Sequence, residues 1–389
     1  MSNSVLFNRF RLIDARTARG LTQTQLAEIS GIKKQSISCY ENGRQVPRPE
    51  NILNLAEKLG VTLSFLQKES FSYSNNTIYF RSQRGLSAKE WKKAEVKLRW
   101  FEEILSYFEE YVDLVSVNIP DKFDVSDRLG RVTADEIEDI ASSLREYWGL
   151  GLGPISNITR LMENNGAIII RVPFDVKEED AFSQWVNDSA TPVVVMVAED
   201  PSACRDRFSL AHELGHLVLH RDVIRTQDNL NLIEEQANMF ASAFLLPAAS
   251  YPREFRFPTL EIYQMLKERW KVSIKAQIFR SKALGLITEE TARNFYMNMA
   301  RRKWLKKEPL DESISFEEPK VIKDIVALLA EQLDIDVEDI AGATAISVQD
   351  VVRLCNLEEY KVSECDITPV LRQNRSKVLK FSGSKIECI

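Results

Sequence analysis

The chain has 389 residues, 44% hydrophobic and 28% charged, with a formal net charge of −6 at pH 7. That balance excludes a collagenous or low-complexity fibre and a chain disordered throughout, and the length exceeds one ordinary core, so two or three domains are expected. No run approaches the ~18 apolar residues of a membrane helix, and MSNSVLFNRFR lacks the pattern of a secretory leader, so no membrane contact and a cytoplasmic address are expected.

The charge is unevenly spread. Residues 1–68 hold ten Lys and Arg against five Asp and Glu, leaving the rest of the chain acidic, so nucleic-acid contact is expected only at the N-terminal end. Five short helices are predicted between residues 7 and 66. The second opens at Thr22, with Gln25 at capping-box spacing, and Gly31 ends it. The third covers about 33–41, with Ile37 and Tyr40 on one face and Lys34, Gln35, Ser36 and Cys39 on others. Asn42 and Gly43 close it, and a further helix over 50–59 stops at Gly60. The string RGLTQTQLAEISGIKKQSISCYENGR, followed by LAEKLGV, closely resembles the lambda-repressor-like (XRE) helix-turn-helix family across almost all of residues 7–68. The resemblance implies a third helix in the major groove of a double-stranded DNA operator, with Lys34, Gln35 and Ser36 at base edges and Gln23, Asn42 and Arg44 on phosphates. It also implies a homodimer on paired half-sites.

FSYSNNTIYFRSQRG, polar, aromatic and without helical period, reads as a linker over 70–85. A strong helix is predicted over 87–111, with Ser87 as cap, Glu90 three residues on, and Trp91, Ala94, Leu98, Phe101, Ile104, Leu105 and Phe108 at spacings of three and four. Its stripe keeps no strict heptads, so packing on its own domain is expected over a spacer or dimerising role. A helix over 134–148 precedes the turn GLGLGP and another helical run. Strands are predicted over 167–172 and 192–198, separated by an acidic, polar loop containing Asp180, Phe182, Ser183 and Trp185.

All three histidines of the chain fall within nine residues, in RFSLAHELGHLVLH. On a helix His212 and His216 lie one turn apart on one face, so two imidazoles can converge on one Zn2+ at about 2.0–2.1 Å. Glu213 is displaced toward the open coordination position, where it can serve as general base for a water. A carboxylate from the later segment EEQANMFA would complete a His2Glu set, and both Glu234 and Glu235 stand there. His220 follows His216 by four residues, with Leu219 where a metzincin has its glycine bend, so it reads as a support and not a ligand. Asn238, one turn beyond Glu234, reads as orienting a ligand. The five cysteines are scattered, odd in number and without a CxxC pair, so reduced thiols are expected and sulfur-bound zinc is not.

Five strings, EDIASSLREYWGLGLGPISNITRLMENNGAIIIRV, DAFSQW, RFSLAHELGHLVLH, EEQANMFASAFLLP and RWKVSIKAQIFRSKALGLI, together resemble the ImmA/IrrE family of metallopeptidases over roughly residues 80–310. Their order is that of regulators in which an XRE domain is fused to this module. The resemblance selects Glu234 as third zinc ligand and implies a protein substrate, a repressor or the chain itself. The expected fold is mainly α with a small β-sheet (α+β): a five-helix DNA-binding domain over 1–69, the linker, a zincin-like metallopeptidase domain over 86–310 and an accessory helical region over 311–389. In that last region VEDIAGATAISVQDVVRL has a helix-turn-helix look, but Asp336, Glu338, Asp339 and Asp350 disfavour DNA. The expected function is a sequence-specific transcriptional regulator with a zinc-dependent endopeptidase module. The competing expectation is a regulator, an antitoxin or phage immunity protein among them, whose peptidase-like domain senses a ligand or a toxin and cleaves nothing.

Overall fold

A computed structural model describes residues 7–69, 79–80, 88–172, 181–186, 191–196, 202–223, 226, 228–255, 257–357, 379–382 and 385–388. Five helices open the chain: α1 (Arg9–Ala18), α2 (Gln23–Ser30), α3 (Lys34–Glu41), α4 (Pro49–Leu59) and α5 (Leu63–Gln67). Each boundary has a local cause. Asn8 and Thr62 accept backbone N–H bonds at the starts of α1 and α5, and Thr22 and Gln25 form a reciprocal capping box at the start of α2. Gly31 ends α2 at φ 68°, a left-handed turn that a Cβ would strain. Leu12, Ala15, Leu26, Ile37, Leu55 and Phe65 fill the centre and are fully buried.

Then come β1 (Tyr79–Phe80), α6 (Ala88–Glu109), β2 (Val112–Asp113), two short 3-10 turns (Asp121–Phe123 and Ser126–Arg131), α7 (Ala134–Tyr147), α8 (Ile158–Asn164), β3 (Ile168–Arg171), β4 (Ala181–Val186) and β5 (Thr191–Met196). The predicted cap Ser87 lies outside the described residues. The predicted stripe of α6 is buried at Ala94, Leu98, Phe101, Ile104, Leu105 and Phe108. It packs on the N-terminal helices: Arg11 grips Glu103 at 2.5 and 3.1 Å, and the Phe65 and Trp100 rings meet edge-on at 5.1 Å. The core of the five opening helices is thus continuous with α6.

The main sheet has the order β1-β4-β5-β3, with β3 parallel to β5 and the other pairs antiparallel. Residues predicted as a polar loop form β4, a correction with a physical reason. All six of its residues are buried because both faces of the sheet are covered, so no polar-out alternation marks the strand. Phe182 and Val186 join the core shared with α6, whereas Ala181 and Trp185 join the core on the opposite face. Asp180 lies outside the described residues.

The chain continues through α9 (Ala203–Leu219), α10 (Leu230–Leu245), α11 (Tyr251–Glu254), α12 (Leu260–Trp270), α13 (Ile274–Ala283), α14 (Glu289–Arg301), α15 (Val321–Leu333), α16 (Val337–Thr344), α17 (Val348–Leu354), β6 (Leu379–Ser382) and β7 (Lys385–Cys388). Strands β2, β6 and β7 form a second, three-stranded sheet. The architecture is mainly helical α+β, as expected. Among the described residues no helix is long and apolar enough to cross a membrane.

Helices α16 and α17 repeat the local geometry of α2 and α3. Asp336 and Asp339 form the capping box, Thr344 Oγ1 donates to Ile340 O at 2.7 Å as Ser30 Oγ donates to Leu26 O at 2.6 Å, and Ala345 turns left-handed at φ 61° where Gly31 does at 68°. This second unit holds the first. Arg19 bonds both Asp350 oxygens at 2.6 and 3.0 Å, Thr62 Oγ1 donates to Ala345 O at 2.7 Å, and Lys68 Nζ donates to Thr344 O at 2.8 Å.

Candidate metal centre and nucleic-acid interface

Helix α9 starts where Ser202 Oγ accepts from Arg205 N, and almost its whole length is buried between the sheet and α10. Burial on every side explains its composition: Leu210, Leu214, Leu217 and Val218 pack outward while His212 and His216 share one face. The two imidazoles stand nearly perpendicular with ring centroids 4.7 Å apart, and their Nε2 atoms are 3.0 Å apart. Glu234 reaches this point from α10, with Oε2 3.3 Å from His212 Nε2 and Oε1 3.4 Å from His216 Nε2. Glu235, on the same helix, is exposed.

Close helix packing allows this approach. A Cβ on Gly215 would stand 3.3 Å from the Ala237 backbone and 3.1 Å from the Phe240 ring, tighter than ordinary contact. The glycine between the two histidines therefore lets α10 sit near enough for Glu234 to meet them.

The donor set fits a small tetrahedral cation. Bonds of about 2.0–2.1 Å at tetrahedral angles separate ligand atoms by about 3.3 Å, and the distances here are 3.0, 3.3 and 3.4 Å. Two neutral nitrogens and one carboxylate are borderline ligands of the kind zinc takes. The far sides of the rings are also held: His212 Nδ1 lies 3.0 Å from Asn238 Oδ1, and His216 Nδ1 lies 3.1 Å from His220 Nδ1. His220, at the end of α9, turns its Nε2 to Gln236 Oε1 at 2.9 Å, and Gln236 Nε2 donates to Leu129 O at 2.8 Å.

Glu213 is buried beside this cluster, and its Oε2 accepts from Ser183 Oγ on β4 at 2.7 Å. The sequence reading missed both Ser183 and Gln236 as parts of the site. DAFSQW does carry a signal for Ser183, because strand alternation turns it to the same side as Trp185.

At the other end of the chain, Lys34, Gln35, Asn42 and Arg44 are exposed, and Ser36 is half-buried on the first turn of α3. Gln23 is differently placed: its Nε2 donates to Glu41 Oε2 at 2.7 Å, where Arg16 also binds at 2.5 and 3.0 Å. A phosphate contact by Gln23 would have to break or share that bond. Asn42 Nδ2 lies 3.3 Å from Ser38 Oγ.

Comparison with known proteins finds two separate stretches of the chain that match family models. Residues 12–66 match the family model described as helix-turn-helix, and residues 162–282 match the peptidase family described as the IrrE N-terminal-like domain. Over 55 residues, 14% of this chain, the sequence is 40% identical to an uncharacterized HTH-type transcriptional regulator of Haemophilus influenzae; the match spans 56% of that protein's length. The exposed α3 residues lie in the first matched segment, and His212, Glu213, His216 and Glu234 lie in the second.

Proposed function

We propose that this chain, joining a helix-turn-helix segment to an IrrE-like peptidase segment, is a sequence-specific transcriptional regulator with a zinc-dependent endopeptidase module. One observation carries the peptidase half: the convergence of His212, His216 and Glu234 within 3.0–3.4 Å, with Glu213 on the residue next to the first ligand. Zinc held there supplies Lewis-acid polarisation of a scissile carbonyl and a more acidic water. Glu213 takes the proton from the attacking water and delivers it to the leaving amine. Ser183 Oγ keeps the Glu213 carboxylate in one orientation, and Asn238 and His220 keep the imidazoles turned inward.

For the DNA half, Lys34, Gln35 and Ser36 read base edges while Asn42 and Arg44 bond phosphates, on a double-stranded operator bound by a homodimer in the cytoplasm. Gln23 supports the reading helix through Glu41. The substrate is a protein repressor or the chain itself.

A second reading, a regulator whose peptidase-like domain senses and does not cleave, is favoured by the bonds from Arg19, Thr62 and Lys68 that tie the DNA-reading unit to the body. The two readings separate in one experiment. Zinc is measured by elemental analysis in the wild type and in His216→Ala and Glu234→Ala, and a peptide library is digested by the wild type and by Glu213→Gln. About one zinc per chain, lost in both ligand variants, with cleavage lost in Glu213→Gln, is the expected result. Zinc without any cleavage supports the sensor, and a wild type that takes up no zinc defeats the metal site altogether.

A further inference from the structure

We infer that Gln236 is a positioning residue that sets which nitrogen of His216 carries its proton, acting through His220; the inference rests on the reading of His212, His216 and Glu234 as a zinc site. The argument follows hydrogen-bond direction. Leu129 O is a backbone carbonyl and can only accept, so the group facing it at 2.8 Å is the Gln236 amide nitrogen. The amide oxygen is thereby turned to His220, 2.9 Å from its Nε2, and an oxygen acceptor requires that Nε2 to bear hydrogen. Neutral His220 then has a bare Nδ1. That atom lies 3.1 Å from His216 Nδ1, so the proton between them belongs to His216. With hydrogen on Nδ1, neutral His216 turns a lone pair on Nε2 toward His212 and Glu234, the form a metal ligand must have.

The chain of four groups runs Leu129 O, Gln236, His220, His216, and its three side chains are buried at 1–3% exposure, where water cannot substitute for a missing partner. His212 is held by a different kind of side chain. Its Nδ1 meets Asn238 Oδ1 directly, and Asn238 is only half-buried. The two imidazoles are therefore steered by different means, and removing Gln236 should disturb only one of them. Without Gln236, His220 can place its hydrogen on Nδ1 and donate to His216, which moves the His216 hydrogen onto Nε2 and into the space between the ligands.

The test uses the full chain stripped of metal, with imidazole nitrogens observed by NMR and zinc affinity measured by chelator competition. In the wild type His216 is expected as the Nδ1–H form. In Gln236→Met, close in volume and apolar, His216 is expected to shift to Nε2–H and donate to His212 Nε2, 3.0 Å away, while His212 keeps its hydrogen on Nδ1 against Asn238, and zinc should bind about 10- to 100-fold more weakly. The retained Nδ1–H form of His212 separates this effect from unfolding. If the Met variant does not fold, Gln236→Asn, whose shorter amide cannot span both His220 and Leu129, should show the same shift. A folded variant that keeps the His216 Nδ1–H form and wild-type zinc affinity overturns the inference. A wild type with the expected His216 form that takes up no zinc instead overturns the metal reading on which it rests.

Discussion

The region around α9 and α10 and the region around α2 and α3 solve opposite problems. At the first, His212, Glu213, His216, His220 and Gln236 are buried, and the geometry is fixed by helix-to-helix contact through Gly215 and by bonds that reach Leu129 and Ser183. At the second, Lys34, Gln35 and Arg44 stand in solvent on a scaffold fixed by the Thr22–Gln25 capping box and by the bonds of Gln23 and Arg16 to Glu41. A site that must bind an ion before anything else arrives is preorganised by burial. A surface that must meet a large, hydrated polyanion keeps its side chains outside and fixes only the helix that carries them.

If the two regions are independent, a change in one leaves the other's readout untouched. The largest effect is expected from His216→Ala, which should bring zinc from about one per chain to none while operator affinity stays within twofold. A fall in operator binding in parallel with zinc loss would break the independence. Gly215→Ala comes next. The added methyl must push α10 away from α9, so we expect a loss of about 1–3 kcal/mol of stability by denaturant melt and weaker zinc retention in dialysis. Stability and zinc binding equal to the wild type would mean that the helix contact is looser than drawn.

On the DNA side, Gln35→Ala should cost about 1–3 kcal/mol and relax preference at one base pair, whereas Arg44→Ala should weaken binding evenly and lower the salt slope by about one. Both should retain full zinc content. A salt slope unchanged in Arg44→Ala would remove that residue from the interface.

The smallest effect concerns the seam between α1 and α6. Burial pushes the Asp14 carboxyl up from 3.8 to about 6, against the opposing pull of Arg99 and Arg11. Between those values the native chain keeps a proton that the unfolded chain has lost, so this group's contribution to stability falls as pH rises from 3.8 to 6. Asp14→Asn should flatten that slope and raise the melting temperature at pH 7 by a few degrees. Melting temperatures at pH 4.5 and 7 check this, and an unchanged difference between them would refute it.

Much of this was legible in the sequence because the signals are local. Thr22 with Gln25, the turn at Gly31 and the four-residue histidine spacing each follow from neighbours along the chain. The convergence of Glu234 with the histidines needed the family resemblance, since Glu234 and Glu235 are alike until α10 is laid against α9. What escaped depends on long-range packing. β4 reads as a loop because Ser183 and Gln184 look solvent-facing until both faces are covered. The bond from Gln23 to Glu41, which Arg16 shares, likewise shows only when α1, α2 and α3 are packed together. The acidic residues of α16 and α17 disfavour DNA contact along the sequence, and only the fold reveals that Asp350 binds Arg19.

That last pairing bears on how the molecule is made. Arg19 and Asp350 are separated by 331 residues, and Thr62 and Lys68 also wait for partners 283 and 276 residues further on. During synthesis the opening helices can close their own local core early, but the surface that receives Ala345 and Asp350 stays uncovered until a further ~280 residues beyond α5 have left the ribosome. Docking of the DNA-reading unit onto the body is therefore a late event in assembly, and a prematurely ended chain would release that unit unanchored.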